Sequence, residues 1–120
     1  MKFETNNLNA EFYLASLALG ILEAMKQGVV HPDIGIWSLG KLQSSQQFEN
    51  SLFLSEDLKY VIGCLDEIDV WTSLDPQNGL EKQLIMIDEL RVKCLKILKH
   101  LDYKEMNLSI ELSMDEYDLD

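Results

Sequence analysis

The sequence predicts a mainly α fold: a compact bundle of three long and one or two short helices, with a C-terminal β-strand or extended tail. Three observations carry that expectation. Apolar residues recur at spacings of three and four over long stretches, as they do on one face of a helix. Gly28, Pro32, Pro76 and Gly79 break the chain between those stretches. Near the end the pattern changes: Leu108, Ile110, Leu112 and Met114 alternate with polar residues, which is the period of a strand.

The first helix is read from "NNLNAEFYLASLALGILEAMKQG", where Leu14, Leu17, Ala18, Ile21 and Met25 form one stripe. Asn7 or Asn9 caps its start, and Gly28 suits the position after its end. Gly20 costs about 1 kcal/mol relative to Ala inside a helix, so it is expected to mark a close helix crossing. In "VVHPDIGIWSLGKL", Pro32 fits the first turn of a short helix over roughly residues 32–40, with His31 or Asp33 near its cap. The following "QSSQQFENSLFL" is a polar connection that turns apolar and is expected to drop Phe48, Leu52 and Phe53 into the core.

Ser55 opens the second long helix, and Glu56 and Asp57 complement its N-terminal dipole. Its stripe is Leu58, Val61, Ile62, Leu65 and Ile68. After "SLDPQNG" the last long helix runs from Leu80 to about Leu101, with Leu80, Leu84, Ile87, Cys94, Leu95, Leu98 and Leu101 on one face. Its charges follow the dipole, with Glu81, Asp88 and Glu89 early and Lys93, Lys96 and Lys99 late. Two charges fall on apolar sectors: Asp69 beside Leu58, Ile62 and Leu65, and Arg91 among Leu84, Ile87, Cys94 and Leu98. Each either reaches water at the core's edge or pairs; the sharper expectation has Arg91 holding a buried carboxylate that fixes the helix arrangement.

The whole reads as one helical domain over residues 1–120 with an acidic tail from about residue 103. Cys64 and Cys94, the only cysteines, sit in helical patterns and are expected to be buried free thiols. The opening "MKFETNNLNAEF" is acidic and polar, unlike a signal peptide, and no run approaches ~18 uninterrupted apolar residues. A cytoplasmic location is expected.

The stretch "LALGILEAMKQGVV" has a Leu-Gly pair inside the helix and Gly28 before two valines. It resembles the opening of a family of small bacterial proteins of unknown function, domain-of-unknown-function family 3969. The resemblance spans about a third of the chain and implies a bacterial cytoplasmic protein without an assigned activity. It supplies no functional residues.

Composition narrows function further. Ten Lys and Arg against 21 Asp and Glu give a net charge of −11. Such a chain is repelled by nucleic acid and by anionic membrane surfaces, whereas a basic protein partner is steered towards it. His31 and His100 lack ligand-spaced companions, and no CxxC, HExxH, GxSxG or phosphate-binding loop is present. The carboxylate pairs Glu56-Asp57, Asp66-Glu67, Asp88-Glu89 and Asp115-Glu116 are adjacent residues, which on a helix diverge by about 100° and do not share a proton. No catalytic role, cofactor or metal is expected. The chain reads as an acidic protein-binding module of the immunity or inhibitor kind, with self-association as a homodimer the alternative. Expected contact residues are Asp66, Glu67 and Asp69 together with Leu108, Ile110, Leu112, Asp115, Glu116 and Tyr117. The strand itself needs a partner, drawn from "MKFET", "GVVHPDI", a second copy or another protein.

Overall fold

The computed structural model of the chain describes residues 2–114, apart from the side chains of Ile36 and Trp37. Helix accounts for 63% of the fold, as its apolar spacing predicts. The long helices are α1 (Ala10–Lys26), α4 (Glu56–Cys64) and α6 (Gly79–His100). Between them lie three four-residue helices: α2 (Ile34–Trp37), α3 (Gln46–Glu49) and α5 (Trp71–Leu74). Short 3-10 segments cover Asn7–Asn9, Leu39–Ser44 and Ile68–Val70. Strands β1 (Lys2–Glu4) and β2 (Glu111–Ser113) pair antiparallel, with Lys2 opposite Ser113, Phe3 opposite Leu112 and Glu4 opposite Glu111.

α4 forms where its capping residue and stripe coincide. The Ser55 hydroxyl accepts from the Leu58 N–H at 3.2 Å, and Leu58, Val61, Ile62, Leu65 and Ile68 are all buried. The helix itself stops at Cys64, and the stripe continues through a turn into the 3-10 segment. Gly28 has φ 73° and closes α1 in the left-handed conformation that glycine allows. The start of α1 differs from expectation. Asn6 caps the 3-10 turn that precedes the helix, accepting from the Asn9 N–H at 3.0 Å. Asn9 stands at the N-cap of α1 without a side-chain capping bond. Asn9 is buried instead, and its Nδ2 donates to the Asn107 carbonyl at 2.8 Å.

Four packing expectations are corrected. α1 buries Ala15, Ala18, Leu22 and Met25, leaving Leu17 half-exposed. α6 is the most extensive neighbour of α1, whereas Gly20 is exposed and lies at no crossing. α6 buries Gln83, Ile87, Leu90, Cys94 and Ile97, a stripe rotated from the expected one; Leu80, Leu84 and Leu95 face outward. The reason is that α6 carries apolar residues around much more than one stripe, and the core selects the sector free of Arg91. Leu52 and Phe53 are also exposed; Phe48 enters the core, and Leu54 packs against it.

The expected short helix over residues 32–40 becomes α2 followed by 3-10 turns. Here two glycines are required by proximity: a Cβ on Gly35 would meet the Leu65 carbonyl, and one on Gly40 would meet Asp66. Cys64 and Cys94 are buried and free. Burial pushes the Cys94 thiol up to about 11 and raises that of Cys64 as well.

Candidate functional site

The antiparallel register sorts the terminal ribbon into two faces. Phe3 and Leu112 are directly opposite and so share a face, which the alternation extends to Thr5, Ile110 and Met114. Lys2, Glu4, Glu111 and Ser113 occupy the other. The C-terminal strand expected over residues 108–114 pairs within the chain, with "MKFET" as its partner, but its ladder covers Glu111–Ser113 alone. The Thr5 hydroxyl donates to the Ser109 carbonyl at 2.5 Å, and the Asn9 side chain holds Asn107, so the strand's approach is tethered at two further points.

The expected burial of that face is only half delivered. Leu108 is half-buried, but Phe3 is 58% exposed, Ile110 50% and Leu112 55%. Between ribbon and helix lies a groove of about 540 Å³, lined by Phe3, Glu4, Thr5 and Ile110 on one side. Ala10, Tyr13, Leu14 and Leu17 of α1 form the other wall. Phe3, Thr5 and Ile110 share the ribbon's apolar face, so the groove lies between that face and α1, with Glu4 adding to the lining from β1.

The anticipated contact residues divide accordingly. Ile110 lines this groove, and Leu112 lies on the ribbon's apolar face. Asp66 instead turns inward: it accepts from Gln43 Nε2, and its other oxygen is buried beside Gly40 without a hydrogen bond. Asp69 is half-buried, with its carboxylate 3.9 Å from His31 Nδ1. Glu67 is exposed and lines a second groove with Tyr60, Trp71, Met86 and Glu89. There Lys82 lies 5.4 Å from the Trp71 ring centre and pairs with Asp75, and Lys93 lies 5.1 Å from that of Tyr60. The cations of the second groove are thus occupied. Asp115, Glu116 and Tyr117 lie outside the described residues.

Arg91 spans α1 and α6. Its Nε is 2.7 Å from Glu23 Oε2, a close ion pair without hydrogen-bond alignment, and its guanidinium also donates to Asp88 at 3.1 Å. Lys26 reaches Asp88 at 3.0 Å, so four alternating charges clamp the two helices in antiparallel order. Hydrogen bonding from Gln27, with Arg91 beside it, holds Glu23 below its ordinary range; Lys26 does the same for Asp88. The carboxylates here are half-exposed, so Arg91 pairs at the core's edge rather than deep within it.

Of the groove residues only Ile110 is an expected contact; Phe3, Tyr13, Leu14 and Leu17 are the large side chains that the sequence did not single out. Their signal is weak: a period-two fragment in "KFET" and two leucines, Leu14 and Leu17, assigned to the core stripe. Among the described residues no group of three or more His, Cys, Asp or Glu side chains is placed to hold a metal ion. The segment Asn7–Lys26 is long and apolar enough to cross a membrane by length and composition alone, although its apolar run is interrupted by charged and polar residues. Of that segment's most apolar window 28% is buried, and both the core helix of a soluble protein and a signal sequence near the N-terminus pass the same test. No family model matches the chain, and neither a curated protein nor a solved structure shows significant similarity to it. The resemblance to family 3969 therefore rests on the quoted residues alone.

Proposed function

We propose that this protein is a non-catalytic, acidic protein-binding module of the inhibitor or immunity kind, working in the cytoplasm on a basic protein partner. The observation that carries the reading is the incompletely covered groove between the terminal ribbon and α1. Half-exposed Phe3, Leu17, Ile110 and Leu112 supply an apolar centre, and the net charge of −11 supplies long-range attraction for a cationic partner. Apolar centre and charged surroundings are the division found in specific interfaces, where the first supplies affinity and the second association rate.

A second reading, self-association as a homodimer, is favoured by the free edges of a two-stranded ribbon. Like charges of −11 on each copy oppose it. Affinity capture from cells of the source organism tests the first reading. Wild-type protein should retain a basic protein at low salt and release it at high salt, and Ile110→Asp should retain none. Retention of no basic protein at any ionic strength would contradict it.

A further inference from the structure

We infer that two copies of this chain associate through the outer face of α6, the two helices antiparallel about a two-fold axis level with Leu90. The inference is independent of the protein-binding reading, because the groove beside the ribbon includes no residue of α6.

Its first support is spacing. Glu81, Ile85, Asp88, Val92, Leu95 and Lys99 follow one another at alternating steps of four and three, the repeat of a helix seam that meets another helix. They lie on the side of α6 away from buried Gln83, Leu90 and Ile97, and Ile85, Val92 and Leu95 are at least half-exposed. Along this seam a groove of about 530 Å³, lined by Ile85, Asp88, Glu89, Val92 and Lys93, leaves room for side chains of a partner helix.

The second support is the order of residues along the seam. Set antiparallel against itself, it places Glu81 opposite Lys99, Ile85 opposite Leu95 and Asp88 opposite Val92, and two-fold symmetry makes each pairing twice. Glu81 and Lys99 form no ion pair among the described residues, so both are available to a copy. Asp88 is already held by Lys26 at 3.0 Å and by Arg91 at 3.1 Å, which compensates its charge beside a valine. Run parallel, the same seam would set each charge against its like.

The third is where the charge lies. α6 carries five Lys and Arg against three Asp and Glu, a net +2, whereas the remaining five and 18 leave the rest of the chain at −13. Two copies therefore approach through α6 against less repulsion than through the acidic remainder. The seam is roughly 27 Å long at 1.5 Å per residue, and on one flank Glu89 meets its own copy and Lys82 meets Lys96. The pairing is accordingly weak and reversible.

Sedimentation of the full chain up to millimolar concentration tests the pairing, with thermal unfolding to show that each variant stays folded. Wild-type protein should pass from monomer to dimer. Val92→Asp, which sets a second carboxylate against Asp88, should weaken the dimer about tenfold or more, whereas Val92→Lys should weaken it far less. Glu81→Lys should weaken it several-fold, and Glu81→Lys combined with Lys99→Glu should restore it. Ile110→Asp, in the ribbon groove, should leave the dimer unchanged, which separates this inference from the module reading. A strict monomer at every concentration overturns the inference, as does equal loss with the two Val92 variants. It is also overturned if the double exchange fails to restore what Glu81→Lys removes, or if Ile110→Asp abolishes the dimer.

Discussion

At the scale of single residues, Arg91 shows how a charge on an apolar sector is accommodated. Its guanidinium is mostly covered, yet its partners Glu23 and Asp88 reach solvent, so it clamps α1 to α6 without isolating a charge. Arg91→Met is expected to lower the unfolding midpoint by a few degrees at neutral pH and low salt. Unchanged or raised stability would mean that the ion pairs contribute nothing. The pH dependence has a definite sign. Glu23 and Asp88 have folded values below their ordinary 4.5 and 3.8, so the unfolded chain binds protons first as pH falls. Their contribution is complete above those ordinary values and is lost as pH drops through the folded ones. The wild-type advantage over Arg91→Met should therefore shrink below about pH 4, which urea titrations at several pH values would measure. The thiols give a second residue-level prediction. With Cys94 raised to about 11 and fully buried, native protein should resist a thiol reagent at pH 8, and both cysteines should react after unfolding. Gly35→Ala should cost about 1–3 kcal/mol, because its methyl group meets the Leu65 backbone carbonyl rather than a movable side chain.

At the scale of elements, legibility followed how much of the signal was local. α4 was readable because a Ser cap, two acids and an unbroken stripe all fall within one short stretch. Leu58→Ala should accordingly cost about 2–5 kcal/mol. The phase of α6 was misread because its leucines outline two overlapping stripes, and only packing decides that Ile87, Leu90 and Cys94 face inward while Leu84 and Leu95 do not. The C-terminal strand was readable from its alternation, but the groove was not. Phe3, Leu17 and Ile110 are distant in sequence, and Leu17 satisfies a core stripe as well as it satisfies a groove wall. Truncation after residue 102 should lower stability, since it removes β2 and the Asn107 carbonyl that satisfies buried Asn9. Truncation after residue 114 should leave stability nearly unchanged, and comparative thermal unfolding of the two shortened chains checks both.

At the scale of the whole molecule, charge and apolar exposure work together. A net charge of −11 opposes the approach of a second copy, and under the proposed reading the groove with its half-exposed aromatic and aliphatic walls takes a complementary chain. The acids near residues 66–69 lie elsewhere: Asp66 is engaged with Gln43, and Glu67 borders a groove whose lysines already have partners. The account thus places the docking surface at the terminal ribbon rather than at the acidic end of α4. Hydrogen exchange on the protein alone and in complex with its captured basic partner tests that placement most directly. The account predicts that the partner slows exchange at residues 2–5, 10–17 and 108–114 and leaves residues 66–71 unchanged. Protection confined to residues 60–71 and 82–93, with the ribbon exchanging as fast as in the free protein, would contradict it.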